Sequence, residues 1–238
     1  MKHHRILLKL SGEQFAGEKK FGIDTHFVAE LAQELQSVVK KTKVQIIVVI
    51  GGGNFLRGAT MAGEQKMVER ATADYMGMLA TIMNGMALVD ILEHFGQPAR
   101  LQTRLHINAV AEPYIRRRTL RHLEKGRVVI VAGGTGNPYF TTDTAAVSTA
   151  IELGCDIVLK ATKVDGVYNK DPKKFSGAVK IPKISFLDAL RDENIRVMDN
   201  AALSLAMDNK LPIRIFDLLS KGNIQKTVEG KSVGTLIS

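Results

Sequence analysis

Short apolar runs alternate with segments of helical periodicity along the 238-residue chain, and this alternation constrains the fold more than any other feature. The runs at residues 5–10, 44–50, 127–132 and 213–217 are rich in Val, Ile and Leu. Between the first two, apolar residues recur at helical spacing from Phe27 to Val38. Apolar strands without strict alternation are typical of a parallel sheet that is covered on both faces. We therefore predict an α/β protein, a three-layer sandwich with a mostly parallel central sheet.

The longest helical segment is predicted at residues 66–95. Its candidate core residues are Met67, Tyr75, Met78, Leu79, Ile82 and Met83. A row of methionines at helical spacing is typical of gap-filling core, and we give it no cofactor role.

Composition excludes several classes of protein. Cys155 is the single cysteine, which rules out an internal disulfide framework and a cysteine-rich zinc site. No apolar run approaches the length of about 20 residues that spans a bilayer, and the first residues do not form a signal peptide. We therefore expect a cytoplasmic protein that makes no use of a membrane.

The net charge of +9 favours anionic partners such as nucleotides or nucleic acid. The densest basic cluster, Arg116 to Arg121, is interpreted as a solvated helix face. Aromatic residues make up only 5% of the chain and Trp is absent, so a base-stacking surface is poorly supported. Nucleic acid is therefore an unlikely partner.

Two lysines interrupt apolar strands near their carboxyl ends. Lys9 lies within the first run, and Lys160 directly follows the run at residues 157–159. An unpaired buried ammonium group is costly, so each lysine needs a partner. The partner is either a carboxylate or a bound phosphate at the edge of the sheet, and the sequence leaves both open.

Two glycine-rich turns follow strands. Gly51, Gly52 and Gly53 end one strand, and Arg57 comes soon after. Such a turn lets backbone N–H groups approach phosphate oxygens, which an arginine can also grip. The turn is neither a Walker A loop nor a dinucleotide fingerprint, because neither spacing is present.

The second turn, at residues 134–143, leads into a helix and offers hydroxyl, amide and backbone donors at a helix N-terminus. Asp143 is interpreted either as a first-turn acid or as a functional group, and Asp199 either as an N-cap or as a functional group. Asp74 is interpreted as a solvent-exposed acid unless further context gives it a role. Cys155 is expected to be an inert buried thiol.

Taken together, the motifs resemble those of the bacterial UMP kinases, which belong to the amino acid kinase family. The matching segments occur in family order and together are highly specific. They are LLKLSGE (7–13), VIGGGNFLRG (49–58), DYMGMLATIMNGMAL (74–88), GTGNPYFTTDTAA (134–146), LKATKVDGVYNKDP (159–172), RVMDNAA (196–202) and the tail GTLIS. The resemblance implies an acetylglutamate kinase-like fold, one domain over residues 1–238, a homohexamer, and transfer of a phosphoryl group from ATP to UMP with Mg2+.

The resemblance also implies site residues. The expected catalytic group is Lys9, Arg57, Asp143 and Asp199. The ATP phosphates would be held by Lys9, Leu10, Ser11, Gly12, Gly53 and Arg57, and the ATP nucleoside by Thr162, Tyr168 and Asp171. UMP would be held by Gly52, Asp74, Thr135, Gly136, Asn137, Pro138, Tyr139, Phe140, Thr141 and Thr142. A segment linked in the family to activation by GTP corresponds to Gly17, Glu18, Lys19, Lys20, Phe21 and Gly22, although its two lysines depart from the common pattern. Inhibition by UTP is implied by the family alone.

Two alternatives remain at the level of sequence. The first is a kinase with a carboxylate or carbamate acceptor, against which the turn at 135–142 argues. The second is a basic nucleic-acid-binding module, which would leave the paired lysines and the two glycine turns without a role.

Overall fold

The computed structural model describes residues 3–56, 68–170, 172, 174–192, 195, 197–218, 220 and 222–238. Within these residues the strands are β1 (Arg5–Leu10), β2 (Gln45–Ile50), β3 (Ala99–Thr103), β4 (Glu112–Pro113), β5 (Val128–Ala132), β6 (Ile157–Thr162), β7 (Val167–Tyr168), β8 (Lys180–Ile181), β9 (Lys183–Ile184), β10 (Ile213–Asp217) and β11 (Thr235–Ile237). The helices are α1 (Gly12–Phe15), α2 (Thr25–Thr42), α3 (Arg70–His94), α4 (Arg116–Glu124), α5 (Thr142–Leu153), α6 (Phe186–Arg191), α7 (Asn200–Asp208) and α8 (Asn223–Val228).

In the described part of the chain, nine strands form one sheet in the order β4-β3-β5-β2-β1-β6-β10-β11-β9. The first seven strands in this order run parallel, and β11 pairs antiparallel with β10. The hairpin of β7 and β8 is separate from this sheet. The predicted mostly parallel sheet is therefore confirmed, with β1 at its centre.

Helices cover both faces of the sheet. Successive residues of each strand point to opposite faces, so each strand contributes side chains to two cores. On β1, Ile6 and Leu8 pack into one core with α2, α3 and α8. Leu7 points the other way, into a second core with α4, α5, α6 and α7. The three layers predicted from the apolar runs are present. Lys9 shares the parity of Leu7, so its side chain lies on the side of the sheet that carries α5.

The arginine-rich helix α4 begins at Arg116, after the short strand β4 that contains Pro113. The predicted core of α3 needs correction. In α3, Met78 and Ile82 are buried as predicted, whereas Tyr75, Leu79 and Met83 are each more than 40% exposed. The helix is apolar around most of its circumference, so periodicity could not identify its buried side. Met67 lies outside the described residues.

Judged by length and composition alone, α3 is long and apolar enough to cross a membrane. Its inner side packs against the sheet instead, with Leu88 and Leu92 fully buried in the core beside α2. This packing places the amino-terminal half of α3 alongside the carboxyl ends of the central strands.

Candidate active site

Three charged side chains lie together where β1 and β6 end. Lys9 and Lys160 occupy paired positions of these neighbouring strands. The Nζ atom of Lys9 lies 2.7 Å from Asp143 Oδ1, and the Nζ atom of Lys160 lies 2.5 Å from Asp143 Oδ2. The carboxylate alternative for the two lysines is thereby confirmed, with one carboxylate serving both. Asp143 is in the first turn of α5, so its position depends on where that helix begins.

Burial and charge act against each other at this cluster. Burial by itself would raise the pKa of Asp143, but the two ammonium groups outweigh it and hold that pKa below the ordinary carboxyl value. Burial lowers the pKa of Lys160, and Asp143 offsets only part of that effect. Lys160 also donates a hydrogen bond to the carbonyl of Val197. Two cations that share one anion leave positive charge available at the end of the sheet.

Asp199 holds the start of α5 from a neighbouring helix. Its carboxylate accepts hydrogen bonds from the hydroxyls of Thr141 and Thr144, and from the N–H of Ala202. Asp199 is therefore an N-cap of α7, as one sequence interpretation held, and it also ties α7 to α5. Thr141 in turn caps α5 through the N–H groups of Asp143 and Thr144.

The first glycine turn packs against its surroundings closely enough to exclude a side chain at Gly52 and at the neighbouring Gly12. A Cβ atom on Gly12 would lie 2.5 Å from the carbonyl oxygen of Gly51 and 2.6 Å from the nitrogen of Gly53. A Cβ atom on Gly52 would lie 2.5 Å from the carbonyl oxygen of Gly77 on α3. Glycine is thus needed at Gly12 and Gly52 because backbone meets backbone there.

The second turn is fastened to α3 at Asp74. The Asp74 carboxylate accepts the N–H of Tyr139 at 2.9 Å and is paired with the guanidinium of Arg70. Tyr139 has a φ of 70°, an unusual value for a residue other than glycine, and the residue is 70% exposed. The expectation that Asp74 is merely solvated is wrong, since its side chain is largely covered.

A cleft of about 430 Å³ lies between the two turns and α3. The predicted site residues that line it are Lys9, Ser11, Gly12, Gly52, Gly53, Asp74, Phe140, Thr141 and Thr142. Sequence reasoning missed Glu13, Arg70 and Thr81, which line it too. The signal that could have revealed Arg70 is its spacing of four residues before Asp74 on one helix.

Other predicted site residues lie outside this cleft. Thr135 and Asn137 line a neighbouring cavity of about 270 Å³ on the α7 side of the second turn. The Leu10 side chain is fully buried, and its carbonyl accepts the N–H of Gly51. Gly136 and Pro138 belong to the same turn as Thr135.

Two residues predicted to bind the ATP nucleoside, Thr162 and Tyr168, lie at and beyond the end of β6. Thr162 is the last residue of that strand, and the hydroxyl of Tyr168 donates to Asp165 at 2.6 Å. Arg57 and Asp171 lie outside the described residues. The segment from Gly17 to Gly22 exposes Lys19, Lys20 and Phe21, and contacts the first glycine turn through Phe55 and Asn54.

The described residues contain no group of three His, Cys, Asp or Glu side chains that could hold a metal ion. Asp143 is occupied by two lysines and Asp199 by hydroxyl and N–H donors, so neither offers a free carboxylate. Within the described residues, the side chains do not make a protein cage for Mg2+, which usually enters kinase sites on nucleotide phosphates and water.

Comparison with known proteins assigns the family. The sequence profile of the amino acid kinase family matches residues 4–217. The chain belongs to the amino acid kinase family. Among solved structures, the UMP kinase from Bacillus anthracis is 39% identical, with a TM-score of 0.94, over 100% of this chain and 97% of that one.

Two further solved structures are similar over their full length. The UMP kinase from Ureaplasma parvum is 34% identical with a TM-score of 0.91, and 100% of both chains is covered. The uridylate kinase from Archaeoglobus fulgidus is 28% identical with a TM-score of 0.74, again with 100% of both chains covered. The resemblance found in the motifs is confirmed by these matches, which include the region of the cleft.

Proposed function

We propose that this protein transfers the γ-phosphoryl group of ATP to UMP, forming UDP and ADP in pyrimidine nucleotide synthesis. The observation that carries the proposal is the Lys9–Asp143–Lys160 cluster beside a cleft that two glycine-rich turns enclose. Full-length similarity to two UMP kinases supports UMP as the acceptor.

The chemistry requires positive charge and alignment more than proton transfer. The second pKa of a phosphate monoester is about 6, so UMP is mostly a dianion at neutral pH and needs no base to attack. Two anions must be brought into line while their repulsion is offset. Lys9 and Lys160 supply charge at the strand ends, and Asp143 holds one ammonium group with each of its oxygens. The Asp143 carboxylate, kept ionised by its partners, is an orienting group and not a base.

The proposed binding residues follow the cleft. ATP phosphates are assigned to Lys9, Leu10, Ser11, Gly12, Gly53 and Arg57, and the ATP nucleoside to Thr162, Tyr168 and Asp171. UMP is assigned to Gly52, Asp74 and residues 135–142. Asp199 is assigned an indirect part, because it fixes the start of α5 and with it Asp143. Mg2+ is proposed to arrive with ATP, where it would neutralise phosphate charge, and no side chain is assigned to it.

The test is a product assay with a panel of acceptors. Purified protein is incubated with ATP, Mg2+ and each nucleoside monophosphate, and products are separated by chromatography. We expect UDP with little CDP or GDP. N-acetylglutamate and carbamate are included as acceptors, and turnover of either in preference to UMP would reject the proposal.

A homo-oligomer, specifically a hexamer, is also proposed, with residues 1–238 forming one domain in each subunit. The outer face of α3 exposes Tyr75, Leu79, Met83 and Met86, each more than 40% accessible. These spacings of four, four and three residues form one continuous apolar stripe, which a second copy of the chain can cover. Light scattering should give a mass near six subunits, and Leu79→Glu should reduce it.

Regulation and location are proposed on the family resemblance. GTP is assigned as an activator acting near residues 17–22, UTP as an inhibitor, and the cytoplasm as the location. Because the segment 17–22 contacts the first glycine turn, GTP bound to this segment can affect the cleft through few intervening residues. Assays with added GTP or UTP test this, and unchanged rates would remove both effectors.

A further inference from the structure

The two glycine-rich turns are fastened to one face of α3 by two buried polar side chains, Thr81 and Asn84, to which the resemblance assigned no role. Asp74, Gly77, Thr81 and Asn84 follow one another at intervals of three or four residues, so they share one side of the helix. Thr81 is 2% exposed and Asn84 is fully buried. Polar groups in such surroundings are costly unless they are hydrogen-bonded, which makes their partners informative.

Asn84 holds the first turn. Its Nδ2 atom donates to the carbonyl of Gly51 at 2.8 Å and to Asn54 Oδ1 at 2.8 Å. Asn54 returns the bond from its own Nδ2 to Asn84 Oδ1 at 2.8 Å, and also donates to the carbonyl of Gly22. Both amides are therefore fully used as donors, and the carbonyls of Gly51 and Gly22 fix which way each amide faces.

This contact determines the direction of a backbone donor. In a trans peptide the C=O and the following N–H point in opposite directions. The carbonyl of Gly51 points to Asn84, which is fully buried and does not line the cleft. The N–H of Gly52 consequently points away from Asn84.

Thr81, which lies three residues before Asn84 on α3, holds the second turn. Its hydroxyl oxygen accepts the N–H of Gly133 at 2.8 Å and donates to the carbonyl of Met78 at 2.7 Å. Gly133 has a φ of 81° and begins the turn that continues through residues 134–142. A single helix face thus sets the positions of both turns and the distance between them.

We propose that Thr81 and Asn84 are positioning residues for phosphoryl transfer, which hold the two turns in the relative placement that aligns donor and acceptor phosphates. The inference rests on the proposed function, since alignment matters only if two phosphates meet in the cleft. Misplacement of reacting groups by about 1 Å can cost about 100-fold in rate, so loss of either tether should lower kcat more than it raises the KM values.

The experiment compares four variants. Thr81→Val removes the acceptor for Gly133 while keeping the side-chain shape, and Thr81→Ser restores the hydroxyl. Asn84→Asp removes the donor to Gly51. Gln97→Glu is the matched control: Gln97 is also buried and donates to the carbonyls of Pro98 and Gly126, but it lies at the opposite end of the strands.

We expect Thr81→Val and Asn84→Asp to lose about 10- to 100-fold in kcat, with smaller changes in KM. Thr81→Ser and Gln97→Glu should keep the wild-type rate when assayed well below their melting temperatures. If Asn84→Asp does not fold, Asn84→Ala, which adds no charge, takes its place. Wild-type kcat in both Thr81→Val and the folded Asn84 variant would overturn the proposal, as would an equal loss in Gln97→Glu.

Hydrogen exchange measured by mass spectrometry separates this inference from the proposed function. Segments 51–54 and 133–136 should exchange faster in the tether variants than in the wild type or in Gln97→Glu, with no substrate present. A wild-type protein that does not phosphorylate UMP would reject the proposed function. Unchanged exchange in these two segments would reject the tethers even if UMP is the substrate.

Discussion

Charged side chains have different kinds of partner at the two ends of the parallel strands. At the amino end of β1 and β6, Arg5 and Asp156 each have neutral partners: Arg5 donates to Gln45 and to the carbonyl of Leu153, and Asp156 accepts the N–H groups of His4 and Arg5. At the carboxyl end Lys9 and Lys160 share Asp143, and the surrounding cleft is lined by glycine turns. The difference suggests that the first arrangement serves stability and the second keeps positive charge available for anionic ligands.

The largest effect is expected at the carboxyl end. Lys9→Ala should lower kcat by about 100- to 1,000-fold, because a charge aimed at the transferring phosphoryl group is removed. The variant should remain folded, since Asp143 keeps Lys160 as a partner. Steady-state kinetics and thermal melting measure the two quantities. Lys125→Ala, which removes an exposed lysine at the amino end, is the control, and near-normal turnover in Lys9→Ala would remove Lys9 from the mechanism.

Asp143→Asn tests the shared carboxylate. The two ammonium groups would then face each other without an anion, and we expect a loss of about 3 kcal/mol in the free energy of unfolding. Adding Lys9→Ala to Asp143→Asn should return part of that loss by relieving the repulsion. Denaturant unfolding of the two single variants and the double variant gives the coupling. Strictly additive effects would show that the three groups do not act together.

The pH profile sharpens the same point. The pKa of Asp143 lies below the ordinary carboxyl value, so its contribution to stability is present above the unfolded pKa and is lost only as the pH falls through that lower folded value. Asp143 should therefore stay ionised throughout the range from pH 5 to 8 in which assays are run. We expect kcat/KM for UMP to decline below a pH of about 6, where the acceptor phosphate takes up a proton. An acceptor whose phosphate has a different pKa should shift the pH at which kcat/KM declines. An unchanged decline would contradict its assignment to the acceptor phosphate.

The smallest effect is expected at the amino end. Asp156→Ala leaves the N–H groups of His4 and Arg5 without that acceptor, which should cost about 1 kcal/mol of stability. Both kinetic constants should be unchanged, because nothing in this contact reaches the cleft. A fall in kcat comparable with that of the carboxyl-end variants would erase the contrast between the two ends.

Sequence patterns predicted the parts of this structure that depend on local chemistry. The apolar runs predicted the central strands closely, with β1 and β10 matching at both ends. The interrupted strands predicted that Lys9 and Lys160 meet at one edge, since parallel neighbours end together. Cys155 is buried as expected, and burial raises the pKa of its thiol to about 12.

What sequence could not provide depends on tertiary contacts. The two-residue strands β4 and β9 owe their existence to pairing and carry too few residues for a periodic signal. Nothing in the order of residues shows that Asp143 serves both lysines, or that Asp74 accepts the N–H of Tyr139. Asn84 sits in a run of apolar helix residues, and only the packed structure reveals that it reaches the backbone of a turn.

The pairing of Lys9 with Lys160 has a consequence for how the activity is acquired. The two residues come from distant parts of the chain and meet only when β1 and β6 are joined in the native register. A shift of one residue in either strand would turn one lysine to the opposite face of the sheet. Catalysis should therefore be absent from any truncated chain that lacks one of these strands. During refolding, the recovery of activity would report when β1 and β6 pair in the middle of the sheet.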